Sequence, residues 1–205
     1  LMLEHLTGEV LKDCFLIEFR NLPTALFGYK YFRRNGYFPV NWIRVYNSLH
    51  SLSPEERLHP KRKRLIKRAL RQGVVLQEAT TEADRATFFQ LLKRHYSSKM
   101  WKHFPHQQLF QLLTQGTPER RAARAFVVKY KDRIIGGSFC MYSQHRAYLC
   151  FSFGLRKTFA WLSPSTLSVW AALTDAYEKG YSHFEFIDAI VDDFLQENVD
   201  TVFGL

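Results

Sequence analysis

The sequence lacks any apolar run that approaches the roughly 20 residues needed to cross a bilayer. Its longest apolar stretches, such as residues 134–142 and 148–153, have only the length of buried strands. The first residues also lack a basic region followed by an apolar run and a small-residue cleavage site, so no secretion signal is visible. We therefore expect a globular protein with no transmembrane segment, located in the cytoplasm.

Cysteine is scarce, and histidine is not arranged for metal binding. Cys14, Cys140 and Cys150 lie in apolar, strand-like runs, where a cysteine usually acts as a small hydrophobic residue. An odd count without short spacing argues against a disulfide framework or a zinc knuckle. His103 and His106 are separated by a proline, which disfavours one helix presenting both rings. The sequence therefore predicts three buried free thiols and no metal site.

Acidic residues are missing from one segment of a basic chain. The formal net charge is +10, and the stretch from Pro60 to Glu78 contains seven basic residues before its first acid. Apolar residues recur at helical spacing between residues 65 and 70, and Gly73 follows as a stop. This pattern predicts a basic amphipathic helix over residues 61–72. Its seven bases are Lys61, Arg62, Lys63, Arg64, Lys67, Arg68 and Arg71.

Capping and turn residues divide the rest of the chain into short strands and helices. Ser163-Pro164 is the clearest helix start, because a serine can cap free amides and proline suits a first turn. Gly180 ends that helix. Strands are predicted at residues 15–20, 74–78, 125–130, 134–142, 147–153 and 183–189. Further helices are predicted from residue 53, at 82–95 and at 106–114.

The predicted order of a strand, two helices, a three-strand meander, a helix and a strand is that of the GNAT fold. Pro60 to Gly73, followed by a strand, resembles the FemAB-type pattern of a basic helix before a glycine and a strand. Residues 134–138 look like that family's strand after a Lys-Asp hairpin. The most specific match runs from Leu162 to Asp188, with LSPSTLSVW at its start and FEFID at its end. The chain therefore resembles the FemAB-like branch of the GNAT acyltransferase superfamily, whose members often contain two fused GNAT-type domains.

This resemblance implies an α/β fold with a GNAT-like mixed, largely antiparallel central sheet flanked by helices. It also implies two parts: residues 1–73 as the C-terminal part of a first GNAT-like repeat, including the basic helix, and residues 74–205 as a second repeat. After Ala189 the chain departs from the family pattern. Relatives continue with glycine and a basic, aromatic stretch, whereas residues 190–193 are Ile-Val-Asp-Asp.

The connection after the third meander strand is the candidate site for the acyl donor's phosphates. The GNAT cradle is a basic, glycine-rich loop entering a helix N-terminus, whose free amides and dipole favour anions. Here the bases and the helix start are present, but paired glycines are not. The resemblance implies that acetyl-CoA or another acyl-CoA binds there, and the alternative is a capped helix beside two solvated bases. The implied binding residues are Arg156, Lys157, Ser163, Ser165 and Thr166.

Two carboxylates on the last predicted strand are candidates for the base that accepts a proton from an attacking amine. Glu185 and Asp188 interrupt an apolar run, and alternation places Glu185 on the face opposite Phe184 and Phe186. Either carboxylate could instead lie on a solvated or ion-paired strand face. Tyr148 is a third catalytic candidate, as a proton donor to a leaving thiolate or a contact to the acceptor, and packing is its alternative role.

Three functions remain open from the sequence. The first is N-acyl transfer from an acyl-CoA-type donor to an amine, with a cell-envelope or polysaccharide precursor as the implied acceptor. The second is FemAB-type aminoacyl transfer with aminoacyl-tRNA as the donor, in which residues 61–72 contact RNA. The third is a non-catalytic module that binds nucleic acid or another anionic surface on a degenerate GNAT scaffold. A merely solvated face is the alternative for the basic helix.

Overall fold

The chain, in a computed structural model, is described over residues 2–19, 27–39, 45–97, 104–116 and 121–187. It divides into two compact units, Leu1–Ile43 and Arg44–Leu205. The first unit contains helices α1 (Met2–Val10) and α2 (Tyr29–Arg34). Its rings of Phe19, Phe32 and Tyr37 pack with centroids 5.1 to 5.5 Å apart.

The buried strand predicted at residues 15–20 is wrong for the part that the structure describes. Residues 15–19 form no strand, and Phe15 exposes 99% of its surface. Cys14, predicted to be buried, is also exposed, whereas Cys140 and Cys150 are buried as predicted. An apolar run forms a stable strand only where neighbouring strands pair with it. No such pairing is present among the described residues of this unit.

The second unit is built on a six-stranded sheet with the order β1-β6-β5-β4-β3-β2. All neighbouring strands are antiparallel except β5 and β6, which run parallel. The predicted fold class is therefore confirmed. The strands are β1 (Val45–Ser48), β2 (Val74–Glu78), β3 (Ala123–Tyr130), β4 (Arg133–Ser143), β5 (Arg146–Gly154) and β6 (His183–Phe186).

Helices cover both faces of this sheet. Ser138 of β4 donates to the carbonyl of Ser168 on one face, while its neighbour Phe139 lies 4.5 Å from the ring of Phe110 on the other. The central strands are therefore buried on both sides and appear in the sequence as nearly continuous apolar runs. The helices are α3 (Pro54–Arg57), α4 (Pro60–Arg71), α5 (Glu82–Ser97), α6 (Gln107–Thr114), α7 (Arg156–Phe159) and α8 (Pro164–Glu178), and a 3-10 turn (Ala160–Leu162) connects α7 to α8.

Most of the predicted elements of this unit are confirmed, with small differences at their ends. Helix α3 begins at a capping box formed by Ser53 and Glu56, and the basic helix is α4. Leu109 and Leu112 of α6 are exposed, although both are apolar. Strand β6 ends at Phe186, and the remainder of the predicted strand lies largely outside the described residues.

The division into parts of two repeats at residue 73 stays a prediction. In the structure, β1 and α4 both belong to the second unit, which begins before that boundary. Among the helices in the described ranges, none has both the length and the apolarity needed to cross a membrane. The same residues contain no group of three or more histidine, cysteine or carboxylate side chains suited to a metal ion.

Candidate active site

Strands β5 and β6 pair in parallel over four residues, and the described pairing then stops. It ends at Leu149 and Phe186, beyond which the amide of Ile187 donates to the carbonyl of Leu149 at 3.2 Å. At the same level, the register of β5 against β4 shifts by one, leaving Cys150 as an extra residue. Such a bulge bends its strand and locally ends pairing. The last part of β5 is therefore redirected at the point where its described contact with β6 ends.

Helix α8 begins against the end of β5. A β-carbon added to Gly154 would lie 2.5 Å from the backbone nitrogen of Ser165, so only glycine allows this approach. The hydroxyl of Ser168 donates to the carbonyl of Phe153 at 2.9 Å. The first turn of α8 is therefore fixed to the strand from which the connection leaves.

The N-terminus of α8 has no side-chain cap. Ser163 adopts left-handed backbone angles, with φ 52° and ψ 53°, and its hydroxyl makes no capping hydrogen bond, so the predicted serine cap is wrong. Pro164 has no N–H. The amides of Ser165 and Thr166 have no acceptor within the described part of the chain. Two unpaired amides and the positive end of the helix dipole are therefore available to an anion.

Two elements that contact this helix end or the connection before it, α4 and α7, contribute basic residues. Arg156 and Lys157 of α7 are exposed. Arg62 of α4 donates to the hydroxyl of Thr166 at 3.5 Å, which places α4 beside the connection. The five residues predicted to bind the donor thus lie in the segment that runs from α7 into the first turn of α8. Arg62 is a sixth candidate for the same site, which the sequence reasoning missed. Its spacing of four residues before the buried Ile66 was the available signal.

Helix α4 has three distinct faces. Ile66 and Ala69 are buried against the sheet. Lys63 and Lys67 each lie 3.0 Å from the carboxylate of Glu55, and their hydrogen bonds lower the pKa of that carboxyl. The third face, which we name the cation stripe, is exposed and forms no ion pair with any described carboxylate. Its members follow each other at intervals of three or four residues and are Lys61, Arg64, Arg68 and Arg71.

The predicted base Glu185 is buried in the sheet. It exposes 5% of its surface, and Nη1 of Arg146 lies 3.4 Å from its Oε2. Tyr148 is also buried and lies level with Glu185 in the parallel register, so their side chains share a face. The structure therefore brings together two of the three predicted catalytic residues. The third, Asp188, lies outside the described residues.

Arg146 is the positive group beside Glu185. Sequence reasoning missed it, because the register of parallel strands that are distant in sequence has no local signal. His183 lies on the same strand and its Nδ1 is 2.9 Å from the hydroxyl of Ser182. Burial, followed by the charges of Arg146 and His50, lowers the pKa of His183. The imidazole is therefore neutral near pH 7, and the guanidinium supplies the charge.

The helix end and the buried carboxylate lie far apart along β5. Tyr148, level with Glu185, precedes Gly154 by six residues, one of which is the bulged Cys150, and this corresponds to about 17 to 20 Å of strand. The side chains that pack against α8 include Leu149 and Phe186, so Glu185 lies on the opposite face of the sheet. A donor held by its phosphates at α8 therefore needs a long arm to bring its acyl group toward Glu185.

The class of the protein is defined by this fold: a largely antiparallel sheet whose one parallel pair is joined through α8 is the GNAT arrangement predicted from the sequence. Residues 60–193 match the family described as Acetyltransferase (GNAT) domain. The chain belongs to this family, and its membership supports acyl transfer as the chemistry. No curated protein matches the chain in sequence.

Two solved structures show the same fold at low sequence identity. The crystal structure of FemX superposes with a TM-score of 0.57 at 11% identity, covering 70% of this chain and 52% of that one. L-PGS from Bacillus licheniformis gives a TM-score of 0.53 at 14% identity, covering 70% and 45%. The predicted FemAB-like branch is thus confirmed at the level of fold. The chain spans about half the length of FemX.

Proposed function

We propose that the chain is an N-acyltransferase that moves an acyl group from an acyl-CoA-type donor to an amine. The observation that carries this proposal is the uncapped N-terminus of α8, with the free amides of Ser165 and Thr166 and with three basic side chains in or beside the connection that leads to it. An anionic pyrophosphate has the charge and the acceptor oxygens that such a helix end favours. The three basic side chains are Arg62, Arg156 and Lys157.

The separation of about 17 to 20 Å between the helix end and Glu185 supports a coenzyme A thioester as donor. Coenzyme A has an extended pantetheine arm between its pyrophosphate and its sulfur. In aminoacyl-tRNA the acyl ester lies on the ribose next to the last phosphate, so the same phosphate position would leave the ester far from Glu185. The geometry therefore favours the longer donor.

In the proposed reaction, the amine nitrogen attacks the thioester carbonyl carbon. A C–N bond forms, the C–S bond breaks, and the coenzyme leaves as a thiolate. Glu185 accepts the proton that the amine loses, directly or through one water. Tyr148 contributes a hydroxyl on the same face and would donate to the departing sulfur.

Removing the two bases of α7 tests the donor site. The double variant Arg156→Ala/Lys157→Ala is expected to weaken coenzyme A binding by about 30-fold, because each of the two lost charge-assisted contacts is worth about 1 kcal/mol at an exposed site. Isothermal titration calorimetry with coenzyme A measures the change. Lys93→Ala/Arg94→Ala removes an adjacent, exposed basic pair from α5 and provides the matched control. Equal affinities for the two double variants would contradict the assigned site.

A second function, aminoacyl transfer from tRNA, is favoured by the cation stripe. Four exposed bases spaced about 5 to 6 Å apart along one helix suit a run of phosphodiesters better than a single coenzyme. The stripe also passes the connection to α8, because Arg68 donates to the carbonyl of Trp161 at 3.0 Å. This arrangement supports an RNA contact and does not require that the RNA be the acyl donor.

The stripe can be tested on the same helix. Arg64→Gln/Arg71→Gln removes two stripe charges, and Lys63→Gln/Lys67→Gln removes two charges that are paired with Glu55. If RNA follows the stripe, the first variant reduces the salt dependence of bulk tRNA binding by about two units of log–log slope, and the second has a smaller effect. Fluorescence anisotropy over a salt series measures both. Identical slopes for the two variants would rule out a specific stripe contact.

A further inference from the structure

Trp161 is an exposed aromatic side chain in the connection that leads to the donor site. It exposes 46% of its surface, although a tryptophan buries much apolar area when it is packed. It lies two residues before Ser163, at the start of the uncapped helix end. Because it precedes Ser165 by only four residues, its exposed ring is a candidate contact for a ligand that also binds the free amides.

The ring is held in place by its neighbours. Tyr130 packs edge-on against Trp161, with centroids 5.5 Å apart and planes at 90°, and Phe159 contacts Tyr130 in turn. Arg68 of the cation stripe donates to the backbone carbonyl of Trp161. An indole fixed in this way can stack on a planar group with little further loss of conformational entropy.

The surroundings of the ring are basic. The ammonium group of Lys131 lies 5.5 Å from the centroid of Tyr130, and the guanidinium of Arg133 lies 5.6 Å from that of Phe159. With Arg68, they place three cations around one aromatic cluster. Asp132 is the acid in the same hairpin, and it forms no ion pair with these cations. An aromatic platform among cations binds a base that carries phosphate.

We infer that Trp161 and Arg68 form a subsite for a phosphorylated adenosine, with the adenine stacked on the indole and a ribose phosphate paired with the guanidinium. The inference rests on the proposed function, because it extends the donor site from the pyrophosphate to the nucleoside. Coenzyme A carries such a group, a 3′-phosphorylated adenosine, next to its pyrophosphate. The 3′ end of tRNA also ends in adenosine, so the same chemistry has a second source.

The stacking partner is tested with Trp161→Ala and Trp161→Phe. Loss of the ring is expected to weaken coenzyme A binding by about 5- to 150-fold, the range for loss of one base-stacking contact. Trp161→Phe retains an aromatic ring and should therefore weaken coenzyme A binding less. It also removes the indole fluorophore at this position. Coenzyme A should therefore quench the tryptophan fluorescence of the wild-type chain and quench that of Trp161→Phe far less. Wild-type affinity in Trp161→Ala would overturn the inference.

The phosphate contact is tested by comparing coenzyme A with dephospho-coenzyme A, which lacks the 3′-phosphate. The wild-type chain is expected to prefer coenzyme A by about tenfold, and Arg68→Gln removes the preference, since a charge-assisted contact is worth about 1.5 kcal/mol or more. Arg68→Lys retains part of the preference for coenzyme A over dephospho-coenzyme A. The inference is overturned if the wild-type chain does not distinguish the two compounds.

A short single-stranded RNA ending in adenosine distinguishes the two molecules that could supply the adenosine, coenzyme A and the 3′ end of an RNA. Quenching by this RNA without quenching by coenzyme A assigns the subsite to an RNA 3′ end, and the reverse assigns it to the coenzyme.

Failure of the inference is separable from failure of the proposed function. If coenzyme A binds equally to wild-type chain and Trp161→Ala, but more weakly to Arg156→Ala/Lys157→Ala, only the nucleoside subsite is wrong. If coenzyme A and the RNA both fail to bind the wild-type chain, the proposed function and the subsite fall together.

Discussion

Glu185→Gln is expected to lower kcat for acyl transfer by about 100- to 10,000-fold, the usual contribution of a positioned general base. Glutamine has almost the same shape and fits the same buried place, but it cannot accept a proton at neutral pH. Because Glu185 lies about 17 to 20 Å along the strand from the helix end, the affinity for coenzyme A should not change. The measurement is release of free thiol from acetyl-CoA with an amine acceptor chosen from a panel of polyamines and aminosugars.

The control for this prediction is Glu178→Gln, an exposed glutamate near the end of α8. It removes the same charge and should leave kcat within about twofold, as expected for a surface group outside a site. Thermal melts of both variants exclude loss of folding, since Arg146 can turn toward water once its partner is neutral. A Glu185→Gln enzyme with unchanged kcat would assign the proton transfer to another group.

The sequence predicted most of the sheet because its strands are local patterns. Residues 74–78 and the meander from Ala123 to Gly154 show the apolar content and turn residues of strands, and each pairs with its neighbour in the chain. Residues 15–19 have a similar apolar content and form no strand. The apolar content of a segment does not determine whether a partner strand is available to it. That availability depends on contacts between segments that are distant in sequence.

The candidate site was predicted as a set of residues, and its geometry was not. The connection from Arg156 to Thr166 has recognisable bases and a helix start, so its residues could be selected as candidates, and their binding of a donor stays a prediction. That Ser163 would take left-handed angles and leave two amides free has no signal in its residue type. The pairing of Glu185 with Arg146 depends on the register of two strands joined through α8, and a one-residue shift would separate them.

The buried ion pair between Arg124 and Asp175 joins β3 to α8 away from the candidate site. Nη1 of Arg124 lies 2.7 Å from Oδ2 of Asp175, and their side chains expose 7% and 16% of their surface. The hydroxyl of Tyr142 donates to the same oxygen at 3.3 Å, and burial raises the pKa of Tyr142, so this proton is retained. Lys179 pairs with the other carboxylate oxygen from the surface. The carboxylate is thus the common acceptor of three side chains.

Asp175→Asn is expected to lower the free energy of unfolding by about 3–5 kcal/mol, because it leaves the guanidinium of Arg124 buried without an anion. For a chain of this size the melting temperature should fall by roughly 6–20 °C. Urea denaturation followed by circular dichroism measures the loss.

Lys179→Gln removes only the partly exposed partner and should cost about 1 kcal/mol or less. Arg124→Met/Asp175→Leu removes both buried charges and should recover most of the stability, since well-packed apolar residues can replace a buried ion pair. If Asp175→Asn were as stable as Lys179→Gln, Arg124 would have to be compensated by another group, and the pair would not be what fixes α8 to β3.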